Sequence, residues 1–171
     1  MRIFIIGFMA SGKTTIGKKL ATKLNLPFID LDKVIEEQQK TTIRLLIYEF
    51  GEERFRQIEK EALEIIIKQN ENAVISAGGG TPCFFDNMEK MNASGITIYL
   101  EVDIPILVSR LANSKTDRPL IWGKSKSDLT AYAQSLLEKR NPFYNLAKHK
   151  ISGKNLSADD IISLVGLKPK M

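Results

Sequence analysis

Apolar positions along the chain fall into short runs separated by stretches with helical spacing. RIFIIGF (2–8) reads as a buried strand, followed by a helical pattern from Thr14 to Leu24. PFIDLD (27–32) reads as a second strand, succeeded by helices through Gln69. NAVISA (72–77) leads into three glycines and a helix near Phe85–Met91, and ITIYLEV (96–102) precedes a helix from Ile104 to Ala112. A polar stretch over 113–127 separates that helix from one over Leu129–Arg140. A weaker strand at HKIS (149–152) and a closing helix in SADDIISLVGL (157–167) complete the pattern, with Ser157 as N-cap and Asp159 and Asp160 in the first turn. Short apolar strands alternating with helices imply βαβ units and a parallel sheet buried on both faces. The pattern predicts a single α/β domain over 1–171, a five-stranded parallel sheet flanked by helices, with no internal repeat or linker.

Composition narrows this picture. The chain has 171 residues, 43% hydrophobic and 26% charged, which is enough to bury a sizeable core. No apolar run approaches the length that spans a bilayer, and the N-terminus lacks the features of a secretory leader, so a cytoplasmic protein without a membrane partner is expected. The single cysteine, Cys83, excludes an internal disulfide framework and a multi-cysteine zinc site. It reads as a small buried hydrophobe. The only histidine, His149, anchors no metal site by itself. The net charge of +5 fits an anionic partner, but the basic residues are spread among acids without an aromatic-rich stripe. A phosphorylated small molecule accounts for the excess as well as nucleic acid does, and nucleic acid is not the expected partner.

Candidate chemistry begins where the first strand ends. Gly7-Phe8-Met9-Ala10-Ser11-Gly12-Lys13-Thr14 satisfies G-x-x-x-x-G-K-[ST] between a strand and a helix. Glycines let backbone N–H groups converge on phosphate oxygens, and the helix N-terminus adds unpaired donors and the positive end of its dipole. Lys13 supplies a point charge for the β- and γ-phosphates, and the Thr14 hydroxyl can ligate Mg²⁺. This is a nucleoside-triphosphate site, with Gly7, Ala10, Ser11, Gly12, Lys13, Thr14 and Thr15 as its candidate residues.

Several other positions pair a chemical with a plain structural explanation. Strand alternation through Phe28-Ile29-Asp30-Leu31-Asp32 places Asp30 and Asp32 on one side at the strand's carboxyl end, where ligands sit in such sheets. One carboxylate can support Mg²⁺ and the other can accept a bond from an attacking hydroxyl; the alternative is a solvated helix N-cap. Arg56 and Glu59 lie three apart in a helical pattern, so they form either a surface ion pair or a fork aimed at a carboxylate. Gly78-Gly79-Gly80 permits positive φ and leaves backbone N–H groups bare, or else makes a tight turn. Arg140 near a helix end, with Pro142 expected to break that helix, either complements the helix dipole or binds an anion. The strand before the glycines carries no acidic residue; Ser76 is its nearest polar side chain.

Taken together, GFMASGKTT, FIDLD, GEERFRQIE, GGG, RPL and KRNPFY occur in the order and spacing of the shikimate kinases, and that resemblance covers essentially the whole chain. It implies a P-loop three-layer sandwich of the nucleoside-monophosphate-kinase-like type and ATP-dependent phosphorylation of the shikimate 3-hydroxyl, with one Mg²⁺ per subunit, in a monomer. It further implies substrate-binding helices over about 32–61 and a lid over about 113–127. By the same resemblance Lys13, Asp32 and Arg118 are catalytic, Thr14 and Asp30 serve the metal, and Asp32, Arg56, Gly78, Gly79, Gly80 and Arg140 hold the acid. Arg110, Arg118 and Lys154 join the ATP side. Trp122, by its place in the lid segment, is expected to anchor the closed loop. Two positions depart from the family pattern: Ala10 stands where a glycine is more usual, and Ile47 where phenylalanine often lines the acid pocket. A gluconate-type kinase would keep the P-loop and lack the Arg56–Glu59 segment and RNPFY. A nucleoside monophosphate kinase would want a pocket for a base, and a regulatory nucleotide-binding module would lack transfer activity.

Overall fold

The computed structural model describes residues 1–113 and 125–168. Five parallel strands, β1 (Arg2–Ile6), β2 (Phe28–Asp30), β3 (Ala73–Ser76), β4 (Ile96–Glu101) and β5 (His149–Ser152), form one sheet in the order β2-β3-β1-β4-β5. The chain enters at the centre of the sheet, passes to one edge with β2, inserts β3 between β2 and β1, and then crosses to the other side with β4 and β5. The carboxyl ends of β2, β3 and β1 are therefore neighbours, which is where such sheets bind ligands.

The helices are α1 (Lys13–Leu24), α2 (Leu31–Gln39), α3 (Ile43–Gln69), α4 (Asn87–Ser94), α5 (Ile104–Ala112), α6 (Lys126–Tyr144) and α7 (Ala158–Val165). Alternation in β1 divides the core. Ile3 and Ile5 pack with Leu20, Leu24, Ile161 and Ile162 beneath α1 and α7, whereas Phe4 and Ile6 pack with residues of α2 to α6 on the opposite face. A helical layer on each face of the sheet makes a three-layer sandwich, and the uninterrupted apolar character of β1 is explained by burial on both sides. The closing helix is capped as expected: Ser157 accepts from the Asp160 N–H, and Asp160 bonds back to Ser157.

Three boundaries differ from expectation. The second strand stops at Asp30 and Leu31 already begins α2, so Asp32 is placed by the first turn of a helix and not by strand alternation. Burial of Leu31 and Ile35 on one helical face decides this, since that spacing suits a helix. The helix expected near 85–91 begins at Asn87, after a 3-10 turn at Thr81–Cys83. The helix expected over 129–140 runs from Lys126, where Ser125 and Asp128 form a capping box, through Pro142 to Tyr144. Pro142 lies in the last turn and forfeits one bond, the one its N–H would make to the Glu138 carbonyl. Burial of Tyr144 and a bond from the Asn145 N–H to the Asn141 carbonyl hold that turn closed.

Within α3, Gly51 has φ 81° and ψ 165° and divides the helix into two segments. Nothing lies within 4 Å of where its Cβ would be, so it is the positive φ that calls for glycine. The kink sets the direction of the GEERFRQIE segment, and hence of Arg56. The lid expected over 113–127 falls mostly on 114–124, outside the described residues, as do Arg118 and Trp122.

Candidate active site

After β1 the chain makes an open loop. Gly7, Ala10 and Gly12 have φ of 147°, 62° and 97°. At Gly7 a Cβ would lie 2.8 Å from the Leu100 carbonyl oxygen, so the loop presses on β4. Ala10 takes a left-handed conformation that a glycine would adopt without strain, at a cost of about 1 kcal/mol. No side chain caps the N-terminus of α1, which leaves its first N–H groups for an anion. Ser11 is buried, and its Oγ has no partner among the described residues. A buried, unsatisfied hydroxyl in a ring of backbone N–H groups fits phosphate oxygens.

Lys13 Nζ donates to the carbonyls of Gly7 (2.9 Å) and Phe8 (2.8 Å), folding back over the loop it serves. Thr14 Oγ1 donates to Asp30 Oδ2 at 2.9 Å, so the two residues expected at the metal come together. This pair of hard oxygens fits Mg²⁺, which takes few protein ligands and keeps water and phosphate oxygens. Accordingly no cluster of three or more acidic, histidine or cysteine ligands occurs among the described residues. Thr15 is exposed on α1. Arg110 donates to the carbonyls of Ala10, Ser11 and Lys154, tying the phosphate loop to the 153–155 turn.

Each of the three successive glycines after β3 backs onto a different part of the site. At Gly78 a Cβ would meet Asp32 Oδ1 at 2.7 Å, Glu59 Oε1 at 2.9 Å and Thr81 Oγ1 at 2.9 Å. At Gly79 it would lie 3.2 Å from Arg140 Nη1 and 3.4 Å from the Met9 nitrogen of the phosphate loop. At Gly80 it would fall 2.6 Å from Arg56 Nη2 and 2.7 Å from Nη1. None of the three has positive φ; the run is glycine because charged groups crowd it, not because the turn needs left-handed backbone. The glycine floor brings Asp32, Arg56 and Arg140 to one crevice, alongside the phosphate loop.

Arg56 is nearly buried and tightly held. Its Nη1 donates to Glu59 Oε2 at 2.9 Å, its Nη2 and Nε share Glu52 Oε1, and its guanidinium lies 4.1 Å from the Phe84 ring centre and 5.0 Å from that of Phe55. Glu59 is 1% exposed and receives a second bond from Thr81 Oγ1 at 2.6 Å, so the pair is a buried network and not a surface ion pair. Arg140 is half-buried, 5.8 Å from the centre of the Phe8 ring, and its helix is secured where the Tyr144 hydroxyl donates to the Gly79 carbonyl. Burial pushes the Asp32 carboxyl up to about 6, reinforced by the negative charges of Glu59, Asp30 and Glu36 and opposed by Lys13. A carboxylate so poised accepts a proton near neutral pH.

Cys83, partly buried against the core, has its thiol pushed up to about 11 by burial, which disfavours the thiolate. Ile47 is exposed on α3. The sequence reading passed over Glu52, Phe84 and Thr81. Glu52 was legible as an i,i+4 partner of Arg56; Phe84 reaches Arg56, and Thr81 reaches Glu59, only through the fold, 28 and 22 positions away.

Comparison with known proteins identifies the family and the fold. The family model described as shikimate kinase matches residues 9–165. A shikimate kinase of Azobacteroides pseudotrichonymphae is 51% identical over 170 residues, covering 99% of both chains. The crystal structure of shikimate kinase from Bacteroides thetaiotaomicron superposes with a TM-score of 0.94 at 42% identity, covering 98% of this chain and 99% of that one. Shikimate kinase from Acinetobacter baumannii in complex with shikimate superposes with a TM-score of 0.84 at 30% identity, covering 96% and 89%. Matched in sequence and in fold over nearly its whole length, this chain belongs to the shikimate kinase family.

Proposed function

We propose that the crevice between the phosphate loop and the glycine floor holds ATP and shikimate side by side, and that the residues gathered there divide the work of transferring the γ-phosphoryl group to the 3-hydroxyl. The observation that carries this is the glycine run itself, which abuts Asp32, Arg140 and Arg56 in turn while Gly79 also lies against the phosphate loop. The loop N–H groups and Ser11 receive the phosphates, and Lys13 exchanges its carbonyl partners for phosphate oxygens. Arg110 and Lys154 border the nucleotide. Arg56 and Arg140 grip the substrate carboxylate from two elements, a task suited to planar, permanently charged forks. Asp32 accepts the hydrogen bond of the attacking hydroxyl and takes its proton as the new bond forms, fixing the nucleophile in line with the phosphorus. Thr14 and Asp30 would hold Mg²⁺, which supplies neutralisation of phosphate charge when bound. Arg118 is the proposed further cation at the transferring group. The enzyme is proposed to be cytoplasmic and monomeric; among the described residues no helix is long and apolar enough to cross a membrane.

A coupled ADP-release assay with purified protein, ATP and Mg²⁺ tests the proposal against a panel of hydroxy acids and nucleoside monophosphates. Release is expected with shikimate and to fall to background when Mg²⁺ is chelated. Release without an acceptor, or preferentially with gluconate or a nucleoside monophosphate, would overturn it.

The glycine floor gives a second expected result. In Gly80→Ala the added methyl group falls within 2.8 Å of three atoms of a guanidinium already held by Glu52 and Glu59. Displacing that fork by several tenths of an ångström should raise the KM for shikimate about 10- to 100-fold while the KM for ATP changes less than about twofold. Steady-state kinetics with each substrate varied in turn checks this.

A further inference from the structure

We infer that Thr81 is a positioning residue for the acid clamp: its hydroxyl fixes the buried Glu59 carboxylate, and through it sets the depth and direction of the Arg56 fork. The inference rests on the assignment of Arg56 to the substrate carboxylate made above, and adds to it a residue from another element of the fold.

Thr81 is fully buried, and each of its polar groups has a partner. Its N–H donates to the Gly78 carbonyl at 3.2 Å, across the glycine run that precedes the 3-10 turn. Its carbonyl accepts from Asn87 Nδ2 at 3.0 Å, from the first residue of α4. Its hydroxyl donates to Glu59 Oε1 at 2.6 Å. With the backbone pinned at both ends and a β-branched side chain stiff at χ1, the hydroxyl points in one direction. Glu59 then has one oxygen for Thr81 and the other for Arg56 Nη1 at 2.9 Å. Without Thr81, Oε1 would be a buried acceptor with no partner, free to rotate toward Arg56 and draw the guanidinium with it. Gly78 makes room for this arrangement, since the Thr81 hydroxyl and Glu59 Oε1 both lie 2.9 Å from the point a Cβ would occupy. The turn after β3 therefore aims Arg56 from outside its helix, and the i,i+3 geometry of Arg56 and Glu59 does not suffice alone.

The test compares Thr81→Val, Thr81→Ala and Thr81→Ser. Valine keeps the branch and removes the hydroxyl, alanine also relieves any crowding of the carboxylate, and serine keeps the hydroxyl. Loss of a bond to a charged group, felt one residue away, should raise the KM for shikimate about tenfold in the valine and alanine variants. Their kcat and KM for ATP should stay within twofold of wild type, and serine should restore the KM for shikimate to within about threefold. In an E59Q background Thr81→Ala should add less than twofold, because its path to Arg56 is already broken. The inference is overturned if the KM for shikimate is unchanged in both valine and alanine variants, if serine is as impaired as alanine, or if kcat and both KM values deteriorate together. Wild-type enzyme without shikimate-dependent ADP release would instead overturn the assignment of the acid site; active wild type with unaffected variants would overturn only the role of Thr81.

Discussion

Replacing Lys13 with methionine should lower kcat about 10²- to 10³-fold, with the KM for shikimate nearly unchanged. The split follows from where the charge is needed. Phosphoryl transfer proceeds through a loose transition state with charge spread over the phosphoryl oxygens, so a cation beside them is worth more at the top of the barrier than in the bound ground state. Lys13 is the first residue of α1 and its ammonium lies against the Gly7 and Phe8 carbonyls of the phosphate loop. Methionine preserves most of the stem's volume, so the loop should keep its shape. Single-turnover kinetics would separate the chemical step from nucleotide binding, and a shikimate affinity measured calorimetrically without nucleotide should match wild type. A variant retaining more than about a third of wild-type kcat would remove Lys13 from the transition state.

Arg56→Ala should have the larger effect on acid recognition, raising the KM for shikimate by about 10²- to 10³-fold, as expected when one partner of a desolvated charge pair is lost. It should also destabilise the fold. Glu59, 1% exposed, would be left buried with Thr81 as its remaining partner, a situation that costs about 3–5 kcal/mol. Binding and stability are separable with two further variants. Arg56→Lys returns a positive charge to Glu59 but not a planar fork, so it should recover much of the melting temperature and little of the affinity. In Arg56→Ala/Glu59→Gln the unpaired charge is gone, and stability should partly return while shikimate binding does not. Thermal melts alongside steady-state kinetics measure both. If Arg56→Lys binds shikimate as wild type does, a point charge is enough and the bidentate grip is wrong.

Much of the site was legible because its parts are local. The phosphate loop is one continuous octapeptide whose function depends on backbone N–H groups and a helix start, so spacing alone reveals it. Arg56 and Glu59 were legible as neighbours on a helix, and the last helix was legible from its cap. What one-dimensional spacing misjudged was the source of each constraint. Asp32 reaches the crevice on a helical turn and not on a strand, since the burial of Leu31 and Ile35 started the helix early. Pro142 does not stop its helix, since Tyr144 is buried against the glycine run two residues later. The three glycines permit positive φ but do not adopt it; they are spaces left for charged side chains belonging to three other parts of the chain.

The sequence by itself determined the alternation of strands and helices, the glycine-rich loop ahead of α1 and the cap of the last helix, because periodicity, capping and loop chemistry act over a few neighbouring residues. The tertiary structure alone decided that Glu59 is buried, that Thr81 bonds it and that Asp32 sits close enough to feel its charge. Those facts depend on strands β2, β3 and β1 lying side by side. Strand order brings distant segments within hydrogen-bonding range, and a short-range pattern along the chain carries no record of that distance.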